Sequence, residues 1–324
     1  MRALVCRELG PADKLAICDM EDPRPGPGEV VIDVKAAGLN FLDTLVIQGK
    51  YQVQPDLPFI PGGEAAGVIA EVGDGVSSPV VGDPVMAIGQ IGAFAQRWSV
   101  PAAAVLPIPE GLEFQVAAGF GLTYGTSYYA LKQRAGLQPG ETVLVLGAAG
   151  GVGSAAVQIG KAMGARVIAG ASTDEKLAFA AEMGADEGVN YVNENLRDRI
   201  KALTQGRGVD VVYDPVGGEL TEQALRSTAW NGRLLVIGFA SGAIPRLQLN
   251  LTLLKGVAVI GVFWGSWIAR DPVSSAENFR ELFAMLADGT LHPGVTDVYP
   301  FEEYGGAFGA LSGRTAKGKV VLTL

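Results

Sequence analysis

The middle of the chain alternates continuous apolar runs with helical patterns. Residues 142–146 read Thr-Val-Leu-Val-Leu and residues 166–171 read Arg-Val-Ile-Ala-Gly-Ala, and such runs without alternation are typical of buried parallel strands. Between them, apolar residues recur at helical spacing: Val152, Ala155, Ala156, Ile159 and Met163. Gly164 then ends the helix. The pattern predicts a βαβ unit with a glycine-rich turn before its helix.

The alternation continues to about residue 262. The predicted helices cover 174–183, 195–204 and 219–229, and the predicted strands cover 185–192, 209–213, 233–238 and 257–262. Strands and helices in this order predict an α/β fold, a doubly wound parallel sheet.

The first 118 residues follow a different pattern, with short strands punctuated by Gly and Pro. Strands are predicted over 29–37, 64–72, 80–88 and 94–100, which indicates a small barrel. Helices over 114–120 and 126–134 lead into the parallel sheet, and the chain closes with a helix near 274–287 and a strand over 319–324. We expect this last strand to return to the first domain, which would make that domain discontinuous.

The turn at 147–153 reads Gly-Ala-Ala-Gly-Gly-Val-Gly. Gly150 is expected to allow a backbone turn that a Cβ would obstruct, and Gly153 to let the helix pack close to the strand. Gly151 and Val152 would aim amide N–H groups at an anion, which the helix dipole also favours. Ala148-x-Gly150-x-x-Gly153 differs from the fingerprint G-x-G-x-x-G by one methyl group. Since the flanking strands and helix fit, we interpret the turn as a dinucleotide site rather than a plain tight turn.

The identity of the dinucleotide depends on the end of the second strand. An NAD site places a carboxylate there, about 20 residues after the turn, but this chain has Ser172 in that slot, followed one turn later by Lys176. A hydroxyl and a lysine suit a 2′-phosphate, which favours NADPH. The alternative is that Ser172 caps the next helix and Lys176 is an ordinary surface lysine.

Composition narrows the class of protein. The chain has 324 residues, 48% of them hydrophobic, which suggests two domains of a compact α/β enzyme. A formal net charge of −9 and the lack of a basic run argue against nucleic acid or anionic membrane as partners. The sequence shows no signal-peptide pattern and no apolar run long enough to cross a bilayer, so we expect a cytoplasmic protein.

Cysteine and histidine are scarce: Cys6, Cys18 and His292 are the only ones. A four-cysteine zinc site and a disulfide framework are therefore impossible, and a mixed catalytic zinc site would need nearly every such residue. His292 lies in Leu-His-Pro-Gly with no nucleophile elbow nearby, so a Ser-His-Asp triad is also disfavoured.

The chain resembles the zinc-free quinone oxidoreductases, the zeta-crystallin-like branch of the medium-chain dehydrogenase/reductase superfamily. The resemblance covers nearly the whole chain and rests on five motifs: Gly38-Leu-Asn40-Phe-x-Asp43, Pro61-Gly-Gly63-Glu64-Ala-Ala-Gly-Val, Gly121-Leu-Thr123, Ala-Ala-Gly150-Gly-Val-Gly and Tyr213-Asp-Pro-Val-Gly-Gly218. Zinc-dependent relatives have a histidine ligand where this chain has Gly63, and their cysteine ligands have no counterpart here.

The resemblance implies a GroES-like barrel domain, residues 1–121 and 262–324, and a Rossmann domain, residues 122–261, with the active site in the cleft between them. It implies that NADPH, without flavin or metal, reduces a quinone; other relatives reduce activated alkenes. The implied 2′-phosphate contacts are Ser172, Lys176, Tyr191 and Arg314. The turn contributes Ala149, Gly150, Gly151, Val152 and Gly153, and the nicotinamide side falls on Asn40, Thr123, Phe239, Ala240, Phe263, Trp264, Gly265 and Lys319.

The resemblance places Asn40, Asp43 and Tyr51 on the substrate side. We expect Tyr51 and Asn40 to stabilise charge on the acceptor oxygen and Thr123 to hold the nicotinamide amide. Purely structural roles are the alternative: Asn40 caps a helix, Asp43 binds backbone and Tyr51 packs. Leu45 replaces a tyrosine of some bacterial members, which points to a more apolar pocket.

Two other functions compete with quinone reduction. Reduction of an α,β-unsaturated carbonyl or enoyl thioester needs the same cofactor geometry and a proton source, which Tyr51 could supply. A non-catalytic, crystallin-like NADPH-binding protein is the rival from another class. We also expect a homodimer that pairs through an exposed edge strand at Val257–Val262.

Overall fold

The computed structural model describes residues 1–324. The chain divides into two units, and each unit is built on its own β-sheet. The first unit comprises residues 1–122 and 293–324, and the second comprises residues 123–292.

The first unit contains these elements in its N-terminal part: β1 (Arg2–Cys6), β2 (Leu15–Asp19), β3 (Glu29–Leu39), α1 (Phe41–Val46), β4 (Glu64–Val72), β5 (Pro84–Ile88), β6 (Arg97–Pro101), β7 (Val105–Pro107) and the start of α2 (Phe114–Tyr129). A π-helical turn, Ala130–Arg134, extends α2 within the second unit.

The second unit continues with β8 (Thr142–Leu146), α3 (Gly151–Ala162), β9 (Arg166–Ala171), α4 (Asp174–Glu182), β10 (Glu187–Asn190), α5 (Leu196–Leu203), β11 (Val209–Asp214), α6 (Glu219–Arg226), β12 (Thr228–Val236), α7 (Asn250–Lys255), β13 (Ala258–Gly261), α8 (Trp264–Arg270) and α9 (Pro272–Ala287). The chain returns to the first unit with β14 (Val295–Pro300), α10 (Tyr304–Ser312) and β15 (Lys319–Thr323).

The sheet of the first unit has seven strands, with the order β14-β15-β3-β4-β5-β7 and β6 paired to β3. Strand β15 pairs antiparallel with β3, Val320 opposite Leu39, so the end of the chain lies in the sheet formed by its beginning. Buried side chains on these strands and in the loop before β6 form one core, which includes Ile32, Leu39, Ile69, Phe94 and Leu322.

The sheet of the second unit has six strands in the order β10-β9-β8-β11-β12-β13, and every pair in it is parallel. The predicted doubly wound sheet is therefore confirmed. Successive strands run outward from β8 to β10 on one side and from β11 to β13 on the other, so the strand order reverses between β8 and β11. Ligands of such sheets bind beyond the carboxyl ends of the strands at this switch point.

The helix at 114–134 corrects the prediction of two helices interrupted near Gly119-Phe-Gly121. Helix α2 runs through both glycines because they provide close packing rather than a break. A Cβ at Gly119 would lie 2.6 Å from Lys319 Cγ, and one at Gly121 would lie 2.8 Å from Ile88 Cδ1. Only glycine lets the helix approach the strands this closely.

The second boundary between the units also differs from the prediction. The sequence suggested a return to the first domain at residue 262, whereas residues 262–292 belong to the second unit. Aromatic and charged contacts hold them there: the Trp264 ring covers Gly125, Trp267 stacks on Tyr129 at 4.3 Å between ring centroids, and Lys132 pairs with Glu281 at 2.5 Å. These tertiary contacts leave no trace in the local sequence pattern.

No helix of the chain combines the length and apolar character needed to span a bilayer.

Candidate active site

The glycine turn joins β8 to α3 and exposes the first backbone amides of the helix. Gly147 has a φ of +58°, Gly150 is the N-cap and Gly151 opens the helix. A Cβ at Gly153 would lie 2.1 Å from the Gly147 carbonyl oxygen, so close packing of helix on strand requires glycine there. The first N–H groups of a helix lack intrahelical acceptors, and they coincide with the positive end of its dipole.

The expectation that a Cβ at Gly150 would obstruct the turn is wrong. Gly150 has a φ of −81°, and a Cβ there would meet only the Gly147 oxygen, at 3.5 Å. The conformational demand lies at Gly147, whose left-handed φ favours glycine. Gly150 is exposed and has no side chain, and this allows a ligand to approach its backbone.

A buried polar pair supports the turn from behind. The Ser127 hydroxyl donates to the Val152 carbonyl at 3.0 Å and lies 2.9 Å from the hydroxyl of Tyr213, which is fully buried. Burial raises the pKa of Tyr213, so this phenol remains neutral. The Ala148 N–H donates to the Gly170 carbonyl at 3.1 Å, and Ala149 is buried beside it. The turn is therefore fixed to both neighbouring elements.

Three polar residues follow the carboxyl ends of the adjacent strands β9 and β10. Ser172 directly follows β9, and Lys176 lies in the first turn of α4. Tyr191 directly follows β10, and its N–H donates to the Ala171 carbonyl at 3.1 Å. Thr173 is the N-cap of α4 and accepts from the Lys176 N–H at 3.2 Å, so the alternative in which Ser172 caps the helix is wrong. Ser172 is left half-buried at the strand end.

Two acidic residues, Asp174 and Glu175, lie in the first turn of α4, and Asp174 is bound to the neighbouring strand. The Asp174 carboxylate accepts from Asn190 Nδ2 at 2.7 Å, and Asn190 is buried at the end of β10. The slot that holds a ribose-binding acid in NAD sites thus contains only a hydroxyl, with a lysine one turn away. These residues fit an adenosine ribose that carries a 2′-phosphate.

The loops after β11 and β12 lie at the same edge of the sheet. The buried Asp214 carboxylate accepts from Val216 and Gly217 N–H, both at 2.9 Å, and from the Thr221 hydroxyl at 2.6 Å. Phe239 and Ala240 follow β12, and the Ala240 N–H donates to the Pro215 carbonyl at 3.0 Å. The two loops therefore support each other at the carboxyl end of the sheet.

The remaining predicted cofactor contacts of the second unit differ in burial. Phe263, directly before α8, is 55% exposed, whereas Trp264 is buried against Gly125 and Gly265 lies in the first turn of α8. Thr123 is buried on α2.

A second set of predicted residues forms a buried polar cluster in the first unit. Asn40, Glu64 and Lys319 are 7%, 1% and 5% exposed, respectively. Lys319 Nζ donates to Asn40 Oδ1 at 2.5 Å and pairs with Glu64 Oε1, and Asn40 Nδ2 donates to the same Glu64 oxygen at 2.8 Å. The other Glu64 oxygen accepts from the Leu122 N–H of α2 at 2.9 Å.

Asp43 is buried beside this cluster and forms a capping box with Asn40. The Asn40 N–H donates to Asp43 Oδ2 at 2.7 Å. Burial raises the pKa of Asp43 from 3.8 to about 7; the Asn40 N–H and Lys319 oppose the rise, and Glu64 adds to it. Burial also raises the pKa of Tyr51, with a smaller contribution from the Asp43 charge, and the ring packs against the core.

Some predicted residues lie together and others do not. The structure joins Asn40, Asp43 and Lys319 in one cluster, and Tyr51 packs against the core of the same unit. Arg314 lies in an exposed segment after α10, with a φ of +56°, and it is outside this cluster. No group of three His, Cys, Asp or Glu side chains is arranged to hold a metal ion.

Glu64 was assigned no role from the sequence, although this residue belongs to the motif Pro61-Gly-Gly63-Glu64. The available signal was a charge at the head of an apolar strand, Glu-Ala-Ala-Gly-Val-Ile-Ala. Charged residues are almost never buried without a partner, and Lys319 begins an equally apolar strand. A search for complementary charges on buried strands would have paired the two.

Known proteins resemble both units. Residues 151–288 match the family Zinc-binding dehydrogenase, and residues 26–110 match the Alcohol dehydrogenase GroES-like domain. Quinone oxidoreductase-like protein 2 of Rattus norvegicus is 40% identical over 325 residues, which cover 100% of this chain and 92% of the relative.

Two solved structures are similar over the full chain. The quinone oxidoreductase of Thermus thermophilus, which was also solved in complex with NADPH, is 40% identical with a TM-score of 0.87 and covers 100% of each chain. CurK enoyl reductase is 30% identical with a TM-score of 0.90 and covers 99% of this chain and 98% of its own.

Asp43 should make the stability of the protein depend on pH. Its raised pKa means that the folded state binds a proton which the unfolded state releases above about pH 4, so its contribution is complete at low pH and lost as the pH rises through about 7. In Asp43→Asn this loss is absent. We expect the free energy of unfolding of the variant, relative to wild type, to rise by roughly 1–3 kcal/mol between pH 5 and pH 8.

Urea denaturation of both proteins at both pH values measures this difference. Asp13→Asn, at an exposed turn, is the control and should keep the wild-type pH dependence. If Asp43→Asn and wild type change in parallel, Asp43 is ionised throughout this range.

Proposed function

We infer that this chain, which belongs to the quinone oxidoreductase branch of the medium-chain dehydrogenase/reductase superfamily, is an NADPH:quinone oxidoreductase. The observation that supports it best lies at the carboxyl edge of the parallel sheet. Helix α3 has Gly150 as its N-cap and begins at Gly151, and the end of the adjacent strand β9 is followed by Ser172 and Lys176 where an NAD site has an acid. This donor set suits a dinucleotide pyrophosphate and a 2′-phosphate.

The positions of individual residues support the following proposed roles. Gly150, Gly151 and Val152 bind the pyrophosphate through backbone N–H groups, and Ser172, Lys176 and Tyr191 bind the 2′-phosphate. In the second unit, the proposed nicotinamide contacts are Thr123, Phe239, Ala240, Phe263 and Gly265. In the first unit, the family resemblance assigns nicotinamide contacts to Asn40 and Lys319 and a further 2′-phosphate contact to Arg314. When bound, NADPH supplies the hydride; the chain orients the reactants and excludes water from them.

The chain also contains a buried carboxyl group, Asp43, whose pKa of about 7 lets it bind and release a proton near neutral pH. Burial and the charge of ionised Asp43 raise the pKa of Tyr51, so its phenol is neutral at this pH. We assign to Tyr51 the donation of a hydrogen bond to the acceptor oxygen. A donor of this kind typically contributes about 10²-fold or more to the rate.

We propose that no zinc takes part. Gly63 occupies the position of the histidine ligand of zinc-dependent relatives, and the chain contains two cysteines and one histidine. A catalytic zinc site of two cysteines and one histidine would need all three of these residues, and no three His, Cys, Asp or Glu side chains are grouped to hold a metal ion.

Comparing acceptors tests the activity. Purified protein with NADPH should oxidise it in the presence of 1,2-naphthoquinone or benzoquinone, with no metal or flavin added. A 2-alkenal tests the second candidate, reduction of an activated alkene, which the similarity to an enoyl reductase supports. Turnover of the alkenal but not the quinones would replace quinone reduction with alkene reduction. Failure with both, while NADPH still binds, would make the chain a non-catalytic NADPH-binding protein.

Lys176→Ala should separate the two nicotinamide cofactors. A charge-assisted hydrogen bond contributes about 1.5–3 kcal/mol, so the dissociation constant for NADPH should rise roughly 10- to 150-fold while that for NADH stays nearly constant. Fluorescence titration measures both constants. Lys201→Ala, an exposed lysine on α5 of the same unit, is the control and should alter neither. Equal weakening for the two cofactors would exclude Lys176 as the phosphate ligand.

We propose a homodimer formed through β13. This strand lies at the edge of the six-stranded sheet, and Leu249, Leu253, Leu254 and Val259 expose apolar side chains on it and on the preceding α7 segment. An apolar edge of this kind pairs with its own copy. Light scattering at micromolar concentration should give twice the chain mass for wild type and the single chain mass for Val259→Lys. A monomeric wild type would contradict the proposal.

A further inference from the structure

The buried cluster of the first unit holds one carboxylate that contacts three different segments. Glu64 Oε1 accepts from Asn40 after β3 and pairs with Lys319 at the start of β15, while Oε2 accepts from the Leu122 N–H on α2. Asn40 and Lys319 are proposed ligand contacts, and Leu122 precedes a third, Thr123. Glu64 therefore contacts two proposed site residues directly and the backbone neighbour of a third.

The chemistry of these partners leaves Asn40 a single orientation. Lys319 only donates hydrogen bonds and the Glu64 carboxylate only accepts them. The Asn40 amide must therefore turn its oxygen to Lys319 and its nitrogen to Glu64, as the distances of 2.5 and 2.8 Å record. The contacts of Lys319 with Asn40 and Glu64 thus hold both the amide and the ammonium group in one orientation.

Glycines make the space for this cluster. A Cβ at Gly38 would lie 2.7 Å from Glu64 Oε1 and 2.2 Å from the Ala118 carbonyl oxygen. A Cβ at Gly119 would lie 2.6 Å from Lys319 Cγ. Strand β3 and helix α2 thus have glycine at the two positions that contact the buried ion pair, and a larger residue at either position would displace it.

We propose that Glu64 is a positioning residue, whose carboxylate fixes the orientation of the Asn40 amide and the Lys319 ammonium for ligand binding and hydride transfer. The proposal rests on the proposed function for the reaction that it serves. Its structural part concerns only Glu64, Asn40 and Lys319 and is independent of the identity of the acceptor.

Two substitutions test it in different ways. Glu64→Gln removes the charge but keeps the size, so the amide nitrogen would face Lys319 or Leu122, both of which are donors. Glu64→Asp keeps the charge and withdraws the carboxylate by one methylene. Misplacement by about 1 Å at a reacting centre costs up to about 10²-fold in rate, so we expect turnover in either variant to fall by about 10- to 100-fold. The dissociation constant for NADPH should change less than about threefold, because Ser172 and Lys176 are untouched.

Titration of Asp43 in the protein without ligand provides a readout independent of activity. Asp43 faces Lys319 on β15, Glu64 on β4 and Tyr51 after α1, and the Glu64 charge adds to the rise in the Asp43 pKa that burial causes. Removing that charge in Glu64→Gln should move the pH-dependent loss of stability to lower pH. Glu64→Asp retains the charge and should shift it less.

Glu71 is the matched control. It lies on the same strand, β4, but is half-exposed and pairs with Arg97 at 2.9 Å. Glu71→Gln and Glu71→Asp should leave turnover and the Asp43 titration at wild-type values. If Glu64→Gln fails to fold, Glu64→Asp decides the matter, since charge balance is kept.

Wild-type turnover in Glu64→Asp, or an unchanged Asp43 titration in a folded Glu64→Gln, would overturn the positioning role. Absence of wild-type turnover with every quinone and alkenal would instead refute the proposed function. In that case the titration of the ligand-free variants still decides whether Glu64 controls its neighbours.

Discussion

The buried ion pair between Glu64 and Lys319 is the constraint on which the first unit depends. It joins residues 255 positions apart and connects β4 with the last strand, on either side of β3. Removing one partner of a buried pair typically costs about 3–5 kcal/mol, because the remaining charge is left uncompensated. The chain must therefore keep the C-terminal strand in the N-terminal sheet, and it must keep glycine at positions 38 and 119, where a side chain would displace the pair.

The second unit prepares its site by the opposite means. No buried ion pair lies at the glycine turn; backbone amides and the dipole of a 12-residue helix provide the positive potential. The Asp174 carboxylate in the first turn of α4 accepts a hydrogen bond from Asn190 at 2.7 Å, which fixes its position at the end of β10. The proposed cofactor site is thus built largely from fixed dipoles, whereas the buried cluster of the first unit relies on side chains with specific hydrogen bonds.

Local pattern was sufficient where one element decides the outcome. Strand β4 was predicted at its observed bounds, and β8, α3 and β9 formed the expected βαβ unit, because buried strands and amphipathic helices leave periodic signals. The prediction failed where glycine serves packing between distant elements. Gly119 and Gly121 suggested a break inside α2, and Gly150 was given a conformational role that belongs to Gly147. The importance of Glu64 was not predicted because its partner Lys319 is remote in sequence, and a local pattern does not show such a contact.

The positions of Asp43 and Tyr51 bear on which acceptor the site suits. A reduced quinone carries its negative charge on oxygen, which exchanges protons with water rapidly, so hydride transfer alone nearly completes the reaction. A reduced alkene carries its charge at carbon and needs a proton delivered by a positioned group. The chain buries a carboxyl group with a pKa of about 7, which can bind and release one proton near neutral pH, and its charge adds to the rise that burial causes in the pKa of Tyr51. Desolvating this carboxyl group has an energetic cost that quinone reduction does not require. In the proposed site, this carboxyl group would supply the proton that alkene reduction needs in addition to the hydride, whereas quinone reduction could proceed without it.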